Sequence, residues 1–307
     1  MLDIIRKISA KKVFKGDIKV MITTITENSF GYEIIDTEEP DNVIAEINNV
    51  IAPELFGYSL DIDLIDNIIC EVSENSLISY GVSVSVARAA ANSFDIPLFK
   101  YLGGAITTDL PIVSSTILRD NNSELFPIVM AESIEDIVDI YIKLRNILDY
   151  KVIDINGAYV CKDIFNEIGK VREKIDEIKE EEDIEILLGL KIKKDMVKDK
   201  DLSLVDYLEV EEPVEFDGFL CTDIIYEESD FVKVYPYEIG TVTELFYYIN
   251  YIFDKGLYPV LEGDNNSLAH IATAFKVPVI RAHLSSSVLN EVWEIERSIS
   301  NPNIRRF

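Results

Sequence analysis

Tyr235-Pro236-Tyr237-Glu238 places two phenols and a carboxylate directly after the β-rich run Asp230–Val234. Strand ends that open into loops are where α/β folds most often carry chemistry. The residues that follow read as a helix start. Gly240 punctuates, and Thr241 stands three residues before Glu244, the spacing of a capping box. The two histidines differ in address. His270 lies inside the helical pattern Ser267–Phe275 and reads as a packed structural residue, whereas His283 follows Val-Ile-Arg-Ala at a strand end beside Arg281. With Lys233 or Arg119, the pair Arg281 and His283 forms a candidate site for a small anion. The triple serine Ser285–Ser287 precedes a helix and reads first as capping, though a helix start also attracts anions. Gly263-Asp264-Asn265-Asn266 is a turn signal, too short for a calcium loop. Glycine-rich dinucleotide, P-loop and nucleophile-elbow motifs are all missing from the sequence.

Positioning such residues needs a large scaffold, and the chain has one. Its 307 residues are 48% hydrophobic, enough for one large α/β domain and a smaller one. The formal net charge is -27, which repels phosphate backbones and anionic lipids, so neither nucleic acid nor a membrane surface is an expected partner. The acidity itself reads as solubility. Cys70, Cys161 and Cys221 are isolated and lack zinc-ligand spacing, as in a reducing compartment without disulfides. With no signal-like start and no apolar run of membrane length, the expected location is cytoplasmic.

The first hundred residues read as strands and then helices. Lys19–Thr26 and Phe30–Asp36 form a hairpin, and Asn42–Ile51, Leu60–Val72 and Ser79–Phe94 are helical. That order predicts α+β packing for residues 1–106. Residues 107–307 alternate. Strands at Ile112–Leu118, Phe126–Met130, Val152–Ile155, Ile184–Leu190, Tyr207–Val210, Phe219–Cys221, Phe231–Val234, Tyr258–Leu261 and Val277–Ile280 are interleaved with helices from Ser133–Leu148 to Ser285–Ile299. The alternation predicts a parallel sheet closed into a β/α barrel. Glu173–Asp183 is a charge run and reads as a solvated helix end.

Several ordered stretches resemble the enolase family. They are Ile51–Cys70, Gly81–Gly104, Leu208–Pro213 ("LEVEEP"), Glu238–Leu245 ("EIGTVTEL") and Asn290–Glu296 ("NEVWEIE"). The resemblance implies an amino-terminal α+β cap domain over residues 1–106. It further implies a modified (β/α)8 barrel over 107–307, with its second strand reversed. It also implies a homodimer, and dehydration of 2-phosphoglycerate by a lysine base, carboxylate-held Mg2+ and an acid.

Carried over residue by residue, most of that machinery is replaced. The base position falls on Tyr235, a poor base at neutral pH with its reference pKa of ~10. The second lysine falls on Val288 and the general acid near Asn156 and Gly157. Lys191 stands where the first metal-binding carboxylate belongs; Glu211 and Asp223 match the other two. An ion pair between Lys191 and Glu211 would then replace the metal, the alternative being a Lys191 that points to solvent. Glu124 reads either as a shifted remnant of an acidic loop or as a surface acid. The phosphate segment reads "LEGDNNS", with Glu262 and Asp264 in place of basic residues. The preferred expectation is an enolase-like protein without dehydratase activity, acting in binding or assembly and needing no cofactor. Tyrosines would then fill the former catalytic strand end. The rival is a carbon–oxygen lyase of the superfamily with a relocated Mg2+ cage of Glu211, Asp223, Glu262 or Asp264 and Lys191 or Lys233 as base. A true phosphopyruvate hydratase with a diverged site ranks last.

Overall fold

A computed structural model describes residues 3–198 and 200–307. In chain order the first elements are β1 (Ile5–Lys15), β2 (Asp17–Thr26), β3 (Phe30–Ile35), α1 (Pro40–Glu46), α2 (Ala52–Leu55), α3 (Ile62–Val72), α4 (Ser76–Ser93) and α5 (Leu98–Gly103). Then come β4 (Asp109–Leu110), β5 (Ile112–Ser114), β6 (Leu118–Arg119), β7 (Ser123–Met130), α6 (Ile134–Ile147), β8 (Tyr159–Val160), α7 (Ile168–Glu182), β9 (Glu185–Ile192) and α8 (Lys194–Val197). The last are β10 (Tyr207–Val210), β11 (Phe219–Thr222), β12 (Phe231–Val234), α9 (Pro236–Ile239), α10 (Val242–Asp254), β13 (Tyr258–Glu262), α11 (Ser267–Phe275), β14 (Val279–Arg281), α12 (Val288–Arg297) and β15 (Asn303–Ile304). These elements fall into two compact units, one of residues 1–107 with 235–251, the other of residues 108–234 with 252–307. A single cut at 106/107 therefore leaves out the return of Tyr235–Tyr251 to the first unit.

The first unit is a three-stranded antiparallel sheet, β1-β2-β3, lying against α4. Gly16, at φ +82, turns β1 into β2. The opening is charged and strand-like in the sequence, but Lys11-Lys12 and exposed Phe14 break the alternation that would have bounded β1. The free side of β1 is closed at Ala10 by Asn48, whose amide donates to the Ala10 carbonyl and accepts from its N–H, as a neighbouring strand would. Helix α4 is buried along most of its length and rich in Ser and Ala. Small side chains let its backbone approach the sheet, and Thr24 Oγ1 and Ser85 Oγ pair at 2.7 Å across the contact. The start of α10 belongs to this unit. The Thr241 hydroxyl accepts from Glu244 N (3.2 Å) and Glu244 Oε2 accepts from Thr241 N (2.9 Å), the reciprocal capping box read from the sequence. Ser83 Oγ accepts from Val242 N and Asp66 Oδ2 from Thr243 N.

The second unit is mixed α/β, built on a ten-stranded sheet in the order β5-β14-β13-β12-β11-β10-β9-β7-β6-β8. Neighbours from β9 to β14 and on to β5 are parallel, while β7 runs antiparallel to β9. The sheet curls until β5 approaches β7, where Ser114 Oγ donates to the Pro127 carbonyl at 2.8 Å. Helices α6 and α7 bury the apolar stripes Ile134, Ile137, Tyr141, Leu144 and Ile168, Val171, Ile175, Ile178. The charge run lies at the end of α7, closed by Asp183 in the left-handed conformation. Val152–Ile155 is not the expected strand. Asp154 Oδ1 instead accepts from Asn156 N and Ala158 N, folding the segment into a turn, and the strand follows at β8. Among the described residues no helix is long and apolar enough to cross a membrane.

Candidate functional site

Four central strands begin with an aromatic residue: Tyr207 on β10, Phe219 on β11, Phe231 on β12 and Tyr258 on β13. Tyr207 and Phe219 meet Phe231 edge-on, at 5.2 and 5.8 Å between centroids, and Tyr258 lies tilted against it at 5.4 Å. This closes the amino end of the sheet interior with hydrocarbon. Two residues along each strand, on the same face by the period of two, the character changes. Glu209 stands above Tyr207, Cys221 above Phe219 and Lys233 above Phe231. Lys191 is in register with Glu209, and Glu262 with Arg281.

These side chains form one array of ion pairs. The Glu209 side chain is 0% exposed, Lys233 3% and Arg281 5%. Arg281 Nε donates to Glu209 Oε1 at 3.1 Å. Arg281 Nη2 lies 3.6 Å from Glu124 Oε2, and Nη1 donates to the Ser114 carbonyl. The guanidinium stacks on Phe126, 3.5 Å from the ring centroid. Lys233 Nζ donates to Asp223 Oδ1 at 3.1 Å and lies 3.9 Å from both Glu209 Oε2 and Glu262 Oε2. Lys191 Nζ donates to Glu262 Oε1 at 2.9 Å. Burial acts to raise the Glu262 carboxyl, but Lys191, Lys233 and Arg281 together hold it below its ordinary value. Burial also acts to lower Arg281, and Glu209, Glu262 and Glu124 outweigh it, raising the guanidinium further. The Cys221 thiol is pushed up to about 12 by burial and by Glu209, so it is no nucleophile at neutral pH.

Several expected assignments change. Lys191 pairs with Glu262, not with Glu211. Glu211 is exposed and accepts from Lys194 N at 2.9 Å, outside the array. The buried acid of this strand is Glu209, which the sequence reading passed over. Its signal was present, since it is flanked by apolar Leu208 and Val210 in a four-residue strand buried throughout. Glu124 is no ordinary surface acid, because it accepts from Thr116 Oγ1 and faces Arg281. Arg281 and His283 do not offer themselves to an anion. Arg281 is enclosed by acids, and His283 Nδ1 pairs with Asp264, which raises the imidazole above its ordinary value. Arg119 is bound to Asp154. Tyr235 caps α9 and packs on Tyr237 at 5.9 Å within the first unit. Asn156 lies in the turn described above and accepts from Ser285 N, and Val288 is buried at the start of α12. His270 Nε2 and Glu291 Oε1 tie α11 to α12 at 3.0 Å.

The residues present do not fit Mg2+. Its ligands must lie at about 2.0–2.1 Å in octahedral geometry. Here the carboxylates of Glu209, Asp223 and Glu262 converge on an ammonium instead. Among the described residues no three His, Cys, Asp or Glu side chains are placed to hold a metal ion.

No family model matches the chain. The "Uncharacterized protein MJ0198" of Methanocaldococcus jannaschii is 68% identical over 310 aligned residues, covering 99% of both chains. The chain belongs to the family of that protein. Beyond it lies a distant enolase-like relationship. The "Enolase" of Methanothermobacter thermautotrophicus is 22% identical across 97% of this chain and 98% of its own length, and that of Methanosphaera stadtmanae is 21% identical across 86% of each. The first of these alignments runs to 409 positions against 307 residues here, so that enolase contains long segments that this chain lacks.

Proposed function

We propose that the chain is an enolase-like protein whose charged sheet end binds a ligand or partner and does not dehydrate 2-phosphoglycerate. The architecture in this reading is an amino-terminal α+β domain followed by a modified (β/α)8 barrel. Eight strands in succession, β5, β7 and β9 to β14, with β7 reversed, support it, as does the distant similarity to two archaeal enolases along most of their length. One observation carries the functional reading: Lys233 is surrounded by Glu209, Asp223 and Glu262. Removing a proton next to a carboxylate creates a dianion that needs concentrated positive charge. In this array each ammonium or guanidinium is already faced by acids, and a divalent cation would have to displace Lys233 to reach the three carboxylates. In this reading the chain forms a homodimer and works in the cytoplasm.

A coupled assay of 2-phosphoglycerate dehydration with added Mg2+ tests this. The expected outcome is no turnover above the blank, with no stoichiometric Mg2+ binding by calorimetry. Turnover at ~1 s⁻¹ or faster, the ordinary enzyme range, would end the proposal.

A further inference from the structure

Lys233 stands on β12, with β13 on one side and β11, then β10, on the other. It is in register with Val260, so Glu262 lies one same-face step further along β13. Asp223 follows β11, and Glu209 is on β10. Carboxylates from three directions thus meet one buried ammonium. Asp223 Oδ1 accepts from Lys233 Nζ at 3.1 Å, while Glu209 Oε2 and Glu262 Oε2 face it at 3.9 Å. Those two oxygens are buried and accept no hydrogen bond from any described residue, so what engages them here is charge. The other oxygen of each is occupied separately, Glu209 Oε1 by Arg281 and Glu262 Oε1 by Lys191. Without the Lys233 ammonium, three carboxylates would share one region with no cation at its centre, an arrangement that a protein interior penalises strongly.

The distances suit an ammonium and not a magnesium ion at the same point. Magnesium binds oxygen at about 2.0–2.1 Å, so the three carboxylates would have to close in by about 1–2 Å to ligate it. An ammonium needs no such collapse, and one carried on a strand cannot exchange with ions in solution. We infer that the Lys233 ammonium is the resident cation of this site, a tethered charge that holds Glu209, Asp223 and Glu262 together without a dissolved metal ion. Lys233 is in this sense a positioning residue, and its charge matters more than its hydrocarbon stem. With the stem cut away, the same carboxylates take a free primary ammonium ion of matching length. The inference goes beyond the proposed function, because it concerns what assembles this end of the sheet, whatever that end binds.

Thermal unfolding of the full chain tests this with variants that separate charge from packing. Lys233→Met keeps the stem and removes the charge. It should lower the midpoint by about 6–10 °C, as when a buried ion pair loses one partner. Glu262→Gln should lower the parent's midpoint and cost at most half as much in Lys233→Met, where the ammonium it answers is already gone. Lys233→Ala lacks the very atoms, three carbons and a nitrogen, that n-propylammonium supplies. That ion should raise the Lys233→Ala midpoint saturably above its value in equimolar NaCl. The neutral isostere n-propanol should not, and the parent should respond to neither. A Lys233→Ala chain that does not fold alone should fold with n-propylammonium, the same rescue in stronger form. EDTA should leave the parent's midpoint unchanged. The inference is overturned by a Lys233→Met chain as stable as the parent, by equal costs of Glu262→Gln in the two backgrounds, or by the absence of rescue specific to the amine. A parent midpoint that falls with EDTA and returns with Mg2+ overturns it too. Turnover of 2-phosphoglycerate is a separate readout, which would end the proposed function and leave these stability outcomes to decide the inference.

Discussion

Asp66 sits in α3 with 2% of its surface exposed, and its Oδ2 accepts from the Thr243 amide at 2.9 Å. Burial dominates, and the hydrogen bonds from Ser83 and Thr243 only partly offset it, so the carboxyl rises from 3.8 to about 6. A carboxyl raised in the fold favours folding while it is protonated. That contribution is complete below the unfolded value near 3.8 and is lost as pH climbs through about 6. The shift of roughly two units corresponds to about 3 kcal/mol. Asp66→Asn keeps a carbonyl to receive the Thr243 amide and cannot ionise. Urea unfolding should find it more stable than the parent by about 1–3 kcal/mol at pH 7.5, with the advantage gone at pH 4. A variant less stable at pH 7.5 would mean that the carboxylate charge, set against the start of α10, is what holds that helix in place.

At the scale of elements, the close contact of β3 with α4 is the most demanding feature. A Cβ on Gly31 would lie 2.3 Å from both Ala89 N and Ser85 O, which are helix backbone and cannot turn aside. Gly31→Ala should therefore cost about 3 kcal/mol or more, at the upper end of overpacking penalties. Gly16→Ala at the β1–β2 turn has nothing within 4 Å and should cost only its left-handed strain, ~1 kcal/mol. Chemical denaturation of the two variants gives the order directly, and equal losses would refute the packing argument. The elements legible in the sequence were those with a strong local pattern. Tyr207–Val210 and Phe231–Val234 match the sequence expectation to the residue, being short β-rich runs, each with one charged residue, bounded by turns. β1 was hidden by its lysines. Val152–Ile155 looked like a strand because it is rich in β-branched residues, yet the Asp154 carboxylate captured the local amides first. Motif matching points to Glu211 and Tyr235, whereas the buried charges lie two residues earlier, at Glu209 and at Lys233, the latter already a candidate base in the sequence. One such step along a strand is ~6.6 Å, so each buried charge lies one layer below the residue that the motif picked out. No pairwise signal in a single sequence reveals such a joint displacement.

For the whole molecule, a net charge of -27 sets long-range repulsion against a fold whose buried array is nearly balanced. The two respond differently to salt. Glu209, Lys233 and Arg281 have side chains 0–5% exposed, where mobile ions scarcely reach. The surface carboxylates are open to solvent, and at 0.1 M salt their mutual repulsion is screened beyond about 10 Å. Most of the remaining ion pairs are exposed, such as Lys12–Asp41 and Lys194–Glu212, and such pairs contribute only about 0–1 kcal/mol each. Screening therefore removes more repulsion than attraction. Raising sodium chloride from 20 to 500 mM at pH 7.5 should increase the thermal midpoint by several degrees. Each kcal/mol gained corresponds to about 2 °C in a chain of this size. Chloride is the right anion, because sulfate would stabilise by exclusion from the surface whatever the charge. A midpoint that falls with chloride would show that exposed ion pairs outweigh the excess negative charge. The acidity would then be an organised part of the fold's stability, not a solubilising surplus carried at its expense.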